Sequence, residues 1–427
     1  MHGRGEGGDG REFYLHSKIA KLGVVLPLLL MAVWYLWWNV NDYRAFLYSK
    51  SRSIAGLETA ARLQPSNALY ERFLGEYLWY LHDWQAAIVK YKAAIALDPQ
   101  EPRTWLDLAA AYQFAGDHKA EAGALATALR LDPTSPATAL EAATFYLVMG
   151  DVDDAIRAFR TTLNQSNNPE QVTLALDRSW RATGDIDKLL AELVPPTPTA
   201  HLALLRMLVS SQESAAAARV WSHLVSLHIP FDSNAAFGYL DYLIGSKQVD
   251  EAQQVWHDLL DIDSLEDYAS TQNLVVNGGF EKDPLNGGFD WRYIPLSQVR
   301  AEIDTSEFHG GSRALLASFD GQPIAEIGVY QWIPVQPNTQ YKFRGFMKTV
   351  DIEGGSGPRF IIADAYTNER YLMSDDLLGS SVWHEDTGEF RTGPTTRLLR
   401  LTILRSPSNS PIRGKVWIDD VTLVPQT

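Results

Sequence analysis

Residues 66–99 read SNALYERFLGEYLWYLHDWQAAIVKYKAAIALDP and residues 100–133 read QEPRTWLDLAAAYQFAGDHKAEAGALATALRLDP, with the same punctuation at the same places. Pro65, Pro99 and Pro133 stand 34 residues apart, as do Gly116-Asp117, Gly150-Asp151 and Gly184-Asp185, and His82-Asp83 fills the same slot one period earlier. Proline does not continue a helix, and a Gly-Asp pair ends one helix and caps the next. Each period therefore encodes a helix, a tight turn and a second helix.

The residues inside the period agree. Leu74-Gly75 on the first helix and Ala87, Tyr91 and Ala94 on the second alternate small and bulky groups, and Leu97-Asp98-Pro99 closes the unit. Later periods keep Trp105, Leu108, Tyr112, Gly116, Ala128 and Pro133, then Tyr146, Gly150, Ala155 and Phe159, then Leu176, Trp180 and Gly184. On these residues the chain resembles the tetratricopeptide repeat family over 68–190, with a departure at Glu121, where the family has alanine. After Asp185 the match weakens, because Pro195-Pro196 cuts the second helix short. Degenerate pairs flank the clear repeats, so we expect an all-α tetratricopeptide-repeat solenoid over 41–262, with degenerate terminal repeats capping it.

The resemblance implies a groove lined by first-helix residues, among them Arg72, Trp79, Tyr80, Leu106, Phe114, Arg178 and Arg181. Such a surface is largely apolar with arginines at both ends, and it would receive an amphipathic helix or extended peptide of a protein partner. The protein's own later helices or a second copy in a homo-oligomer would fill it equally well.

The chain has 427 residues, a net charge of −15 and no cysteine. That length accommodates two or three units with separate cores. The acidic balance and the lack of a basic stripe argue against a nucleic-acid partner. The absence of cysteine removes disulfides, thiolate metal sites and cysteine nucleophiles together.

Residues 1–21 are rich in glycine and polar groups at their start and are expected to form a disordered cytoplasmic segment. Leu22–Val40 carries no charge, and as a helix it would span roughly 28 Å, close to the hydrocarbon thickness of a bilayer. Trp34, Tyr35, Trp37 and Trp38 crowd its end, where amphipathic rings favour the interface. Bulky residues occupy the place of a cleavage site, so we read 22–40 as an uncleaved, single-pass transmembrane anchor. Arg4, Arg11, Lys18 and Lys21 lie before it and Arg44, Lys50 and Arg52 after it, so the charge bias is slight; the short N-terminal segment and the nature of the C-terminal domain favour a cytoplasmic N-terminus, with the bulk of the chain in the periplasm or outside the cell.

From Asn273 the pattern changes to short alternating strands, such as Tyr341–Lys348, separated by turn clusters at Asn277-Gly278-Gly279, Asn286-Gly287-Gly288 and Gly354–Gly357. With 263–272 as a linker, residues 273–427 read as a β-sandwich. Four ordered segments carry a further resemblance: Asn273–Glu281, His309–Leu315, Val329–Pro337 leading into Tyr341, and Val416–Leu423. Together they look like jelly-roll carbohydrate-binding modules with a galactose-binding-like fold. The resemblance implies a structural calcium held by Glu281, a carbonyl at Gly311, and Asp419 or Asp420. In a regular strand those two aspartates point to opposite faces, so one is expected to ligate and the other to be solvated. It also implies glycan binding through aromatic faces, for which Trp291, Trp332 and Trp383 are the candidates.

There is no paired-histidine metalloprotease motif, no Gly-x-Ser-x-Gly elbow and no phosphate-binding loop. The expected protein is thus a multidomain, non-enzymatic scaffold of the cell envelope: one transmembrane helix, a solenoid for a protein partner and a sandwich for a polysaccharide, as in polysaccharide assembly or export. The rival expectation is a structural subunit of an envelope or surface oligomer that binds no glycan.

Overall fold

The computed structural model describes residues 18–51, 53–269, 272–408 and 410–426, with only the backbone of 18–21. Residues 1–17, with Arg4 and Arg11, lie outside the described residues. The chain forms two compact units, Met1–Leu193 and Val194–Thr427.

The first unit is helical. Its first helix, α1 (Lys18–Ser49), includes Lys18–Lys21, which the sequence had placed in the disordered segment, and runs on past Val40. Within Leu22–Ser49 an 18-residue window reaches a mean hydropathy of 1.7, so the helix is long and apolar enough to cross a membrane. Its last turns pack on α2 (Ile54–Leu63): Ala45 is fully buried in a cluster with Ala60 and Tyr70. One continuous helix thus serves both as the apolar span and as the first member of a helix pair.

Four pairs follow: α3 (Ala68–Tyr80) with α4 (Trp84–Leu97), α5 (Pro102–Ala115) with α6 (His118–Leu131), α7 (Pro136–Met149) with α8 (Val152–Gln165), and α9 (Pro169–Thr183) with the short α10 (Ile186–Glu192). This is the tetratricopeptide arrangement predicted from the period. Gly116, Gly150 and Gly184 end the first helices with φ of +78°, +80° and +61°, a left-handed conformation that glycine adopts freely. Asp83, Asp117, Asp151 and Asp185 then cap the second helices, each accepting a backbone N–H three residues on at 3.1–3.3 Å. Inside the first pair, a Cβ on Gly75 would lie 2.6 Å from the Tyr91 ring, so only glycine lets α3 and α4 approach this closely.

The second unit joins four helices to the sandwich. The helices are α11 (Pro198–Ser210), α12 (Ser214–Ser226), α13 (Phe237–Gly245) and α14 (Val249–Ile262). Ten strands follow: β1 (Arg292–Tyr293), β2 (Val299–Asp304), β3 (Ala314–Pro323), β4 (Glu326–Pro334), β5 (Gln340–Gly354), β6 (Arg359–Asp364), β7 (Arg370–Met373), β8 (Gly379–Arg391), β9 (Leu398–Leu404) and β10 (Pro411–Pro425). They form two five-stranded antiparallel sheets, β1-β4-β9-β6-β7 and β2-β3-β10-β5-β8, in a jelly roll whose chain crosses repeatedly between sheets. Alternate residues of facing strands fill the space between the sheets, with Phe280, Trp291, Phe343 and Phe360 at the centre. Gln331 is also fully buried there; its amide pairs with Val276 N–H and C=O at 3.0 and 2.8 Å, as a strand backbone would.

The helices and the sandwich of the second unit are closely joined. The expected solenoid 41–262 is divided, because α11–α14 belong to the same compact unit as the sandwich. Within the expected linker 263–272, Tyr268 is buried and its hydroxyl donates to Asp283 C=O at 2.8 Å. The hairpin α13–α14 sits directly on the sandwich. A Cβ on Gly287 would meet the Phe237 ring at 2.0 Å, and one on Gly288 the Trp256 ring at 2.1 Å. Tyr366 Oη donates to Ile244 C=O at 2.8 Å, and Arg397 pairs with Asp250 at 2.5 Å.

Candidate functional sites

In the first unit a cavity of about 440 Å³ is lined by Trp79, Tyr80, Tyr91 and Phe145 together with Glu76, Arg103, Asp107 and Glu141. Trp79 and Tyr80 were expected in the groove; Asp107, Glu141 and Phe145 were not. Asp107 is the hub. Its carboxylate accepts from Arg72 Nε at 2.8 Å and Arg103 Nε at 3.0 Å, while Arg72 also reaches Glu76 and Arg103 reaches Glu141. Burial, opposed by Arg72 and reinforced by the Asp107 charge, pushes the Glu76 carboxyl above its ordinary value. One ionic chain thus runs Glu76–Arg72–Asp107–Arg103–Glu141, and Trp79 of the cavity belongs to an aromatic cluster in which Trp84 stacks on Phe114 at 4.7 Å and Trp79 meets both edge-on.

Tyr80 is 75% exposed and Phe114 53%, so both rings are presented to solvent. Leu106 is not; it is 2% exposed and belongs to the core between helices, because its position on α5 faces the neighbouring helix. Arg178 and Arg181 lie on α9, away from this cavity: Arg178 donates to Thr144 Oγ1, and Arg181 pairs with Asp177 at 3.0 Å.

The three nominated tryptophans of the sandwich do not converge. Trp291 is fully buried, stacked on Phe280 at 4.9 Å, with Nε1 donating to Asn277 C=O at 3.0 Å. It is a core residue and offers no face to a ligand. Trp383 lies on the outer face of the second sheet, half-buried beside Trp417, Ala314 and Leu316, and its Nε1 donates to Glu307 at 3.3 Å. Trp332 lies on the outer face of the first sheet. Neighbours at i and i+2 share a face, so Tyr330 stands beside it, edge-on at 5.4 Å. Arg400 lies over the Tyr330 ring at 4.7 Å and pairs with Glu326 at 3.1 Å.

Glu281, Gly311, Asp419 and Asp420 do come together, at one corner of the sandwich. The Glu281 and Asp419 carboxylates there accept from backbone N–H groups. Glu281 accepts from Ser312 N, Ser312 Oγ and Arg313 N at 2.7–3.1 Å; Asp419 accepts from His309 N and Gly310 N at 2.8 and 3.0 Å. The two aspartates do not point apart. Asp420 has φ +47° within a bulge opposite β5, and this turns its carboxylate onto His309 Nδ1 at 2.6 Å. Among the described residues no three acidic, histidine or cysteine side chains are set to hold a metal ion. As placed, these residues latch the His309–Arg313 turn to both ends of the domain. A Cβ on Gly311 would lie 2.1 Å from Glu281 Oε1, so the latch also requires glycine there.

Several carboxylates of this unit are shifted from their ordinary values, Glu281 and Asp290 in opposite directions. At Glu281 desolvation pushes the carboxyl up, but the hydrogen bonds from Ser312 and Arg313 prevail and hold it below its ordinary value. At Asp290, which is fully buried, desolvation prevails over the bond from Leu285 N and raises the carboxyl to about 7.

No protein-family profile matches the sequence, and no curated protein matches it. Among solved structures, MamA aligns at 16% identity and a TM-score of 0.31, covering 42% of this chain and 93% of that one. A CBM4 structure aligns at 15% identity and 0.28, covering 36% of this chain and 99% of that one. TmCBM61, solved with β-1,4-galactotriose, aligns at 21% and 0.27, covering 36% and all of that chain.

Proposed function

We propose that the protein is a non-enzymatic, membrane-anchored scaffold of the cell envelope, in which the repeat unit receives a protein partner and the sandwich binds a glycan. In this reading α1 is an uncleaved anchor with a cytoplasmic N-terminus, and the rest of the chain works on the other side of the membrane. The partner's segment lies against Tyr80 and Phe114, whose exposed rings supply the apolar anchors such recognition uses. The process served is the assembly or export of a polysaccharide.

The observation that carries the glycan half is the Tyr330–Trp332 pair. Both rings stand on an outer sheet face beside Arg400, the combination of flat aromatic surface and polar donors that sugar rings require. The test is binding of the full chain in detergent micelles to a polysaccharide panel, with and without calcium. Saturable binding lost in Trp332→Ala and kept in Trp383→Ala supports the reading. No binding by a folded protein that sediments as a discrete oligomer favours the rival, a structural subunit.

A further inference from the structure

We propose that the outer face of the sheet β1-β4-β9-β6-β7 binds an acidic polysaccharide, with sugar carboxylates held by Arg370 and Arg400 and a ring lying on Trp332. This rests on the glycan reading above and names its substrate class. The register places these residues in one line. Arg370 on β7 is opposite Ala363 on β6, Ala363 is opposite Arg400 on β9, and Arg400 is opposite Trp332 on β4. Directly opposed residues of antiparallel strands point to the same face; the β6–β7 register shifts between Ile362 and Ala363, and the contact of Arg370 with Met373, which is opposite Ile361, keeps Arg370 on the outer face. The line therefore runs arginine, alanine, arginine, tryptophan across four strands.

The two arginines are two strand spacings apart, roughly 10 Å, which is the span of a disaccharide unit. Ala363 between them raises no side chain into the path. The adjacent line, from the same registers, holds Met373, Ile361, Thr402, Tyr330 and Arg292. Ile361 and Thr402 are each 4% exposed and form the floor.

The charges on this face are not all used internally. Arg370 is exposed, and among the described residues its only hydrogen-bond partner is Met373 Sδ, at 3.4 Å. Arg400 gives one nitrogen to Glu326 and lies over the Tyr330 ring, one third exposed at the face. A guanidinium with a free edge is shaped for a carboxylate, which it can hold through two parallel N–H bonds. A neutral sugar would leave that geometry unused. The chain as a whole carries −15, so long-range electrostatics repel a polyanion, and binding of one must come from local arginines.

The experiment compares binding of polygalacturonate oligosaccharides and their carboxyl-reduced counterparts to the full chain in detergent micelles. The acidic oligosaccharide is expected to bind and the reduced one to bind weakly. Arg370→Gln, at an exposed edge position, should weaken the acidic ligand about tenfold, and Arg400→Lys should weaken it while keeping the charge. Equal binding of both ligands, lost in Trp332→Ala but unchanged in Arg370→Gln, overturns the acidic assignment and leaves the glycan reading standing. Binding of neither overturns both.

Discussion

Asp241 on α13 and Arg292 on β1 form an ion pair of 2.5 Å across a sequence separation of 51 residues, and the arginine is almost wholly buried in it. Arg292 also donates to Gly288 C=O at 2.9 Å, in the loop that receives Trp256. The pair therefore fixes the last helical hairpin to the sandwich beside the contact of Trp256 with Gly288.

Removing only the acidic partner leaves that guanidinium buried and under-satisfied. Asp241→Ala should destabilise the second unit by about 1–3 kcal/mol. The half-exposed aspartate keeps the cost below that of a fully buried pair. Hydrogen exchange should show faster opening of peptides from both α13 and 286–293. Acceleration confined to the helix would mean that the two elements are not coupled.

Asp290 gives a pH signature. Its carboxyl is raised by burial to about 7 from an ordinary value near 4. A raised acid contributes stability that is fully present below the unfolded value and lost as pH rises through the folded one. Stability of this unit should fall between about pH 4 and pH 7 through this residue. Asp290→Asn can still accept from Leu285 N–H and should flatten that slope, raising stability at pH 8 by about 1–3 kcal/mol. Thermal melts from pH 4 to 8 decide it, and an unchanged slope in the variant rejects the assignment.

Glu281 has the opposite sign. Held below its ordinary value by Ser312 and Arg313, it contributes stability above the unfolded carboxylate range that is lost as pH falls through the lower folded value. Glu281→Gln should remove part of the acid sensitivity of the His309–Arg313 turn, read by exchange of its amides. Because N–H groups occupy these carboxylates, calcium or a chelator should leave the melting temperature unchanged. A calcium-dependent rise would mean that the turn gives up its amide bonds to a cation.

The tryptophans separate binding from folding. Trp291→Ala removes a fully buried ring and should cost about 3–5 kcal/mol, so any loss of function in it reports unfolding. Trp332→Ala should leave the melting temperature within a few degrees and lose glycan binding. Near-ultraviolet circular dichroism on the two variants, beside the binding assay, makes the distinction.

The repeats were legible because their signals are local. A glycine at positive φ followed by a capping aspartate recurs at a fixed period, and no distant contact is needed to read it. The strands and the sandwich were legible from alternation and turn clusters for the same reason. What stayed hidden depended on parity and partners. Leu106 reads as a groove position by its place in the period, but the rotation of α5 turns it inward. Asp419 and Asp420 would face apart in a regular strand, and one left-handed residue brings them together. Trp291 and Trp332 look alike in sequence; only the pairing register tells core from face. The attachment of α13–α14 to the sandwich rests on Gly287 and Gly288, which read simply as a turn until the rings of Phe237 and Trp256 are seen against them.

That last contact also orders events during synthesis. Phe237 and Trp256 leave the ribosome before Gly287 and Gly288, and the strands that hold that loop in place come later still. Until most of the sandwich has been made, the hairpin has two large rings and no seat for them, the kind of exposed apolar surface that draws chaperones or misassembles. A chain truncated after α14 would carry that exposure permanently.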